Sequence, residues 1–439
     1  MLAEPNRRRL LAMLASGEQT VSQLAEQFGV TRSAISQHLG VLADAGLVLV
    51  RQEGRWRYYR LDPAGMSALR QALDMFWTNE LEQLVAVRPT IKGATTMTAE
   101  PTMTVEHSVV VPLGPDETFA MLTEPARLRC WQALTARVDL RAGGEYRWTI
   151  VPGRSAAGAF SEVEPGKRLV FTWGWEGDES LPPGASTVTI TLEPVDGGTL
   201  VRLVHDGLTS EQAEGHLEGW KHYWDRLAAA GISGDAGADD WIARVDSLDA
   251  LGAAEAALAS CQLVLRRLPA EAGSARTPCS KFAVDDLLDH LMGSVTHLGA
   301  TAGGEIPDNK EGSREERLAD ASQAALEAWR GRGIDGEVEL GPNAVPAAVP
   351  VGILSIEFLV HAWDFAQAAG QAGQAAGQAG QDVVADEALV DFVLDFARQI
   401  VRPEMRDGDR FAAEVEVGPD AGHLERLLAF TGRAMPATV

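Results

Sequence analysis

Cysteine is scarce: three in 439 residues (Cys130, Cys261 and Cys279), widely and irregularly spaced. That excludes a disulfide framework and a cysteine-rich zinc site. No uninterrupted apolar run approaches the roughly 18 residues a membrane span needs. The opening "MLAEPNRRRLLAML" also lacks a signal-peptide cleavage pattern. The expectation is a cytoplasmic protein with no membrane partner. Net positive charge is missing too, with 38 Lys and Arg against 62 Asp and Glu, which argues against general nucleic-acid affinity. What remains is an ordinary globular composition, 46% hydrophobic and 23% charged, in a chain long enough for about three domains.

The charge is unevenly spread. Residues 1–90 carry 10 Arg and 9 acidic residues, a net +1, and the remainder carries −25. Only the first ninety residues are therefore candidates for meeting DNA phosphates. "RPTIKGATTMTAEPTM" (88–103) and "GISGDAGADD" (231–240) read as linkers. They divide the chain into segments 1–90, 101–230 and 244–437. A Gly-Gln-Ala repeat, "QAAGQAGQAAGQAGQ" (367–381), lies within the third segment and reads as a mobile loop.

In the first segment, "TVSQLAEQFG" opens with Thr20 and Gln23 in capping-box spacing. Val21, Leu24, Ala25 and Phe28 follow at i, i+3, i+4, i+7, the mark of one buried helical face. After Gly29 a second helix buries Ile35, Leu39 and Leu42. Thr31, Arg32, Ser33, Ser36 and Gln37 lie at its N-terminal end, where a helix-turn-helix reaches bases and phosphates. "LVLVRQEGRWRYYRL" alternates as two strands around Glu53-Gly54. Arg55 and Arg57 share one face of this wing, with Arg51 and Arg60 nearby. "VSQLAEQFGVTRSAISQHLGVLADAGLV" and "GRWRYYRL" resemble the ArsR family of winged-helix repressors over residues 4–86. The resemblance implies a double-stranded operator as partner. The family's thiolate metal-sensing motif would fall near "TVSQLAE", which has no cysteine. The stripe Leu69, Leu73, Phe76, Trp77, Leu81, Leu84 would serve a homodimer interface, as in the family, or pack on its own domain.

The second segment alternates like strands from "TVEHSVVV" to "TLVRLVHDGL", with a long helix, "SEQAEGHLEGWKHYWDRLAAA", at its end. A long helix against a curved antiparallel sheet encloses an apolar pocket. Trp131, Trp148, Trp173, Trp175, Trp220 and Trp224 fall here and would either pack a core or line that pocket. His205, His216 and His222 read as surface or structural. "EPARLRCWQ", "GEYRW", "RLVFTWGWE" and "HLEGWKHYWDRL" resemble the SRPBCC helix-grip superfamily in its activator-of-Hsp-ATPase-like branch. That implies an apolar or aromatic ligand in the cavity, or a co-chaperone role.

The third segment turns helical, with four amphipathic stretches suited to an antiparallel bundle. A further helix, a strand-like "FAAEVEVG" and a last helix follow. In "IEFLVHAWDFA", Glu357, His361 and Asp364 share one helical stripe, which is either the wet side of an apolar helix or part of a metal site. His290 falls roughly 130° from the apolar stripe of its own helix, near solvent. "TPCSKFAVDDLLDHL", "EFLVHAWDFA" and "LERLLAFTGR" resemble the DinB/mycothiol-dependent maleylpyruvate isomerase superfamily. The resemblance implies a divalent metal, usually zinc, on His290, Glu357 and His361. Asp364 and His297 stand in reserve, Asp364 also as a partner of a ligand, and a low-molecular-weight thiol such as mycothiol would be co-substrate. No catalytic arginine can be matched after residue 410, and Cys279, in a loop without a base, makes a poor nucleophile.

The fold class expected is multidomain α+β: a winged helix-turn-helix, a helix-grip cavity domain and a DinB-like four-helix bundle. The leading functional reading is an operator-binding regulator of ArsR type with fused small-molecule and metal-binding domains. The alternatives are a metal- and thiol-dependent isomerase or transferase with an autoregulatory DNA reader, and a co-chaperone-like interaction protein.

Overall fold

The computed structural model describes residues 10, 13–14, 18–28, 32–44, 47–53, 56–61, 102–242, 248–279, 281–374, 383–406, 411–418 and 420–433. The chain forms two compact units, Met1–Met97 and Thr98–Val439.

In the first unit a short strand β1 (Gln19–Thr20) leads into α1 (Val21–Phe28) and α2 (Arg32–Asp44), followed by the hairpin β2 (Val48–Glu53) and β3 (Trp56–Leu61). The sheet order is β1-β3-β2. Thr20 N–H donates to Gln23 Oε1 at 2.8 Å and Gln23 N–H to Thr20 Oγ1 at 3.4 Å, the reciprocal box that starts α1. Leu24, Ile35, Leu39 and Leu42 are fully buried with Val48 and Tyr59 in one core. The residues of the expected dimerisation stripe, 69–84, lie outside the described residues.

The second unit begins with a seven-stranded antiparallel sheet: β4 (Met103–Val111), β5 (Thr135–Val138), β6 (Glu145–Val151), β7 (Arg154–Glu164), β8 (Arg168–Trp173), β9 (Ser186–Val195) and β10 (Gly198–Leu208). Its order, β4-β10-β9-β8-β7-β6-β5, is a meander with the first strand returned beside the last. Register shifts at Thr149/Val151, Phe160/Glu162 and His205/Leu208 let the sheet curl. Two short helices, α3 (Pro115–Thr123) and α4 (Pro125–Leu128), follow β4. The long α5 (Ser210–Ser233) starts at a Thr209/Gln212 capping box and ends at Gly234 with φ of 83°. It buries Trp220, Tyr223, Trp224, Leu227 and Ala230 in the core formed with the sheet. This is the expected helix-grip architecture.

Beyond it, α6 (Ala250–Arg267), α7 (Val284–Ala300), α8 (Arg314–Arg332) and α9 (Ala348–Gln374) pack around one core, α6 against α8 and α9, and α7 against the same two. Asp249 caps α6 and Ser313 caps α8. Then come α10 (Glu387–Ile400) and α11 (His423–Phe430). A hairpin, β11 (Glu337–Leu340) and β12 (Asn343–Pro346), turns at Gly341-Pro342.

Four details depart from the sequence reading. The Gly-Gln-Ala repeat is helical as far as Gln374, because alanine is the strongest helix former and Ala368 and Ala369 pack into the core; residues 375–382 lie outside the described residues. "FAAEVEVG" joins no sheet, and only its Val415 N–H reaches another segment's backbone, at Ala429. Residues 231–240 are no free linker. Gly231 to Ser233 finish α5, and Arg226 donates to the carbonyls of Gly237 and Ala238 at 2.9 and 2.8 Å. Finally, Ala348–Ala369 is long and apolar enough for a membrane span by length and composition, although 78% of the window is buried inside the protein. Apolar apart from the stripe of Glu357, His361 and Asp364 and a few small polar residues, it is the central helix of the bundle.

The helix-grip and helical halves of this unit are joined by buried charge. Arg129, just after α4, grips Glu315 in the first turn of α8 with bonds of 2.8 and 2.9 Å, the side chains only 1% and 4% exposed. Arg266 on α6 reaches Asp235 at 2.6 Å and Glu315 at 3.4 Å. Buried Glu255 accepts from Gly153 N–H at 2.6 Å and also pairs with Arg330.

Candidate metal centre, aromatic cavity and DNA reader

α7 and α9 bring three donors together. His290 Nε2 and His361 Nε2 each stand 3.6 Å from Glu357 Oε2. The three ligand atoms lie within 4.8 Å of one another. At 3.6 Å these are not good hydrogen bonds, and Glu357 Oε2 is buried without a hydrogen-bond partner. Such an orphaned carboxylate oxygen between two imidazoles is rare unless something else satisfies it. Tetrahedral ligands about 2.0–2.1 Å from zinc stand roughly 3.3–3.4 Å apart, close to the spacing here. The cluster fits a divalent ion.

The stripe on α9 is not a wet face: His361 is 5% exposed and Asp364 fully buried. His361 Nδ1 hydrogen-bonds Asp364 Oδ2 at 2.9 Å, which leaves Nε2 pointing at the cluster. Burial disfavours charge on His361, but Asp364 and Glu357 outweigh it and push the imidazole up to about 9. Burial likewise opposes the Glu357 carboxylate, and the two histidines hold it well below its usual range. His290 stacks on Phe282 with ring centroids 5.2 Å apart and keeps 41% of its side chain exposed, so the cluster opens towards solvent on that side. His297 is exposed and outside the cluster.

Sequence reasoning missed Arg433. It donates to Asp364 Oδ2 at 2.9 Å and lies 3.4 Å from Cys279 Sγ. Its only signal was its place at the end of "LERLLAFTGR", and nothing in residue spacing tied it to Asp364. Burial and Asp364 push the Cys279 thiol up to about 11, with Arg433 opposing. That shift opposes the thiolate a nucleophile needs. Asp364→Asn, which keeps the shape but weakens the hold on His361, should lower divalent-ion affinity about 10–100-fold. Competition against a fluorescent chelator would check this, and unchanged affinity would remove Asp364 from the site.

The helix-grip half encloses a cavity of about 270 Å³ lined by Trp173, Trp175, His216, Trp220, Tyr223 and Arg154 among others. Trp131, Trp148, Trp173, Trp220 and Trp224 are buried, so both readings of the tryptophans hold: some pack the core, and Trp173 and Trp220 also face the cavity. His205 is fully buried. Ser186 Oγ donates to the Trp173 carbonyl, so it accepts from His205 Nε2–H at 2.9 Å, and Trp220 Nε1–H donates to His205 Nδ1 at 3.1 Å. Burial first, and His216 second, lower its pKa to about 3. It is a neutral structural histidine, not a surface one.

In the reader, Ser36 and Arg57 are exposed. Arg57 pairs with Gln52 on the hairpin face that, nearer its base, carries Val48 and Tyr59 into the helical core, so it projects on the same side as α2. Thr31 and Arg55 lie outside the described residues, as do the side chains of Arg32, Ser33 and Gln37. Arg51 has a different task, binding Glu18 at 2.8 Å and covering Tyr58 at 4.7 Å.

A three-stranded winged helix-turn-helix of this kind defines a DNA-binding regulator. The family model "Bacterial regulatory protein, arsR family" matches residues 4–49, and "Activator of Hsp90 ATPase homolog 1-like protein" matches residues 112–231. The HTH-type transcriptional regulator Rv2034 of Mycobacterium tuberculosis is 49% identical over 80 residues, 18% of this chain and 75% of that protein. Through this first segment the chain belongs to the arsR family of bacterial regulatory proteins. An uncharacterized protein of the same organism, Rv0738, is 29% identical over 195 residues, 43% of this chain and 100% of its own length. The solution structure of an AHSA1-like protein from Rhizobium etli is 39% identical, covering 33% of this chain and 90% of that one, with a TM-score of 0.28.

Proposed function

We propose that this ArsR-type transcriptional regulator binds operator DNA as a homodimer and carries its sensing apparatus in the fused second unit. A divalent ion, zinc foremost, would sit on His290, Glu357 and His361, and an apolar or aromatic small molecule in the helix-grip cavity. The observation that carries the reading is the preformed aromatic cavity in a chain whose DNA reader lacks the family's thiolate site. A ligand can shift operator affinity only by the difference between its affinities for the DNA-bound and free protein, and the shift is reciprocal. Operator binding by the full chain, titrated with and without cavity ligand, tests this. Saturation of the cavity with no change in operator affinity would refute it.

On the DNA side, Gln37→Ala should relax sequence preference. Arg55→Ala with Arg57→Ala should weaken binding to every sequence. It should also reduce the slope of log K against log salt by about 1.8, since each guanidinium neutralises one phosphate. Salt-dependent fluorescence anisotropy reads both, and an unchanged slope would exclude the wing from the phosphates.

A second reading is a metal- and thiol-dependent isomerase or transferase of the maleylpyruvate isomerase type. The presence of Arg433 beside the cluster and the half-exposed face of His290 favour it. A bound ion would supply Lewis acidity and acidify a thiol such as mycothiol. Of the chain's own groups, Asp364 holds the His361 tautomer and Arg433 holds Asp364. Conversion of unsaturated acids in the presence of thiol and zinc would establish this reading over the first.

A further inference from the structure

The helix-grip cavity is selective as well as apolar. We propose that it takes a small aryl carboxylate, with one or two rings among Trp173, Trp175 and Trp220 and the acid on Arg154. This rests on reading the helix-grip half as a ligand module and names the ligand's class.

Size sets the first limit. A cavity of roughly 150 Å³ already holds benzene, so about 270 Å³ suits one ring or two fused rings. The walls are flat: the Trp173 ring stands 5.4 Å from Trp175 at 83° and 5.2 Å from Trp220 at 54°. The roof is thin. Gly215 and Gly219, one turn apart on α5, both line the cavity, yet glycine weakens a helix interior. Close packing does not require them. A Cβ at Gly215 would meet nothing within 4 Å, and one at Gly219 only Trp241 Cζ3 at 3.9 Å. Their effect is to keep space open above the aromatic floor.

Polar groups set the second limit. Trp173 Nε1 is buried without a hydrogen-bond partner, a donor that an acceptor on a ligand would satisfy. Trp175 and His216 supply no free donor to a ligand: Trp175 Nε1–H donates to His216 Nε2 at 3.3 Å, and His216 Nδ1–H donates to Gln212 O at 2.7 Å. Three charged residues line the rim, Arg154, Asp178 and Glu211. Asp178 Oδ1 is occupied by the Ser180 amide and hydroxyl, at 2.9 and 2.6 Å. Glu211 lies in the first turn of α5. The Arg154 guanidinium lies over Trp175 at 4.2 Å and has no hydrogen bond or ion pair among the described residues. It alone offers unspent donors in the fork geometry that suits a carboxylate.

Tryptophan quenching of the full-length protein by 2-naphthoate, 2-naphthylmethanol and 2-naphthylmethylammonium tests this. Naphthoate should bind about ten-fold tighter than the alcohol and tighter still than the ammonium. Arg154→Gln should abolish that preference while leaving the alcohol within about two-fold, and Gly219→Leu should block all three. If naphthoate has no advantage, or keeps it in Arg154→Gln, the carboxylate assignment is overturned while the cavity stands. If no probe quenches the wild type, or Gly219→Leu binds all three as well as wild type, the ligand-module reading falls with it.

Discussion

Purified without chelator, the chain should carry about one divalent ion, and His361→Ala should lose it. The expectation follows from three donors whose ligand atoms lie within 4.8 Å and from a Glu357 oxygen with no other partner. In the metal-free protein the His361 imidazole is pushed up to about 9 by Asp364 and Glu357 against the pull of burial. An ion must displace that proton. Affinity should therefore rise about ten-fold per pH unit as pH climbs towards 9, then level off, the sign expected when binding releases one proton. Elemental analysis gives the stoichiometry and calorimetry in buffers of different ionisation enthalpy gives the proton count. Full occupancy in a His290→Ala, His361→Ala double variant would show that the ion sits elsewhere.

Glu315→Ala should destabilise the second unit by about 3–5 kcal/mol, among the largest effects of any single substitution here. Its carboxylate accepts both bonds from Arg129 and a third from Arg266. Removing it strands the Arg129 guanidinium, 1% exposed, while Arg266 keeps Asp235. The cost comes from the uncompensated charge, not from the worth of the pair. Arg129→Met combined with Glu315→Leu should accordingly recover most of the loss. Urea unfolding followed by tryptophan fluorescence reads both variants. A loss below about 1 kcal/mol for Glu315→Ala would place the pair in contact with solvent.

Local signals were legible from the sequence. The Thr20/Gln23 box, the stripe Leu24, Ile35, Leu39, Leu42 and the alternation of β2 and β3 are short-range patterns, set by helix and strand periods. The six tryptophans of the second segment announced an aromatic interior. Periodicity also placed His290 near solvent, in accord with its half-exposed side chain. It failed on the stripe Glu357, His361, Asp364. Three polar residues on an otherwise apolar helix look like a wet edge, whereas their burial is made tolerable by partners 69 and 67 residues away in sequence, Arg433 and His290. No local pattern carries that information. The same holds for the 231–240 segment, whose composition is that of a linker until Arg226 and Arg266 take hold of it.

The sequence by itself determined the kinds of element, the division of charge between the reader and the rest, and the residue types able to ligate a metal, because these depend on neighbours within about two helical turns or one hairpin. The tertiary structure alone decided which ionisable groups are buried and what compensates them. It set His361 between Asp364 and Glu357, Arg433 against Asp364, and Arg129 against Glu315, and it left Trp173 Nε1 and Glu357 Oε2 without partners. Burying a charge or a donor is costly unless the fold supplies its counterpart, and that counterpart comes from distant chain brought near by packing.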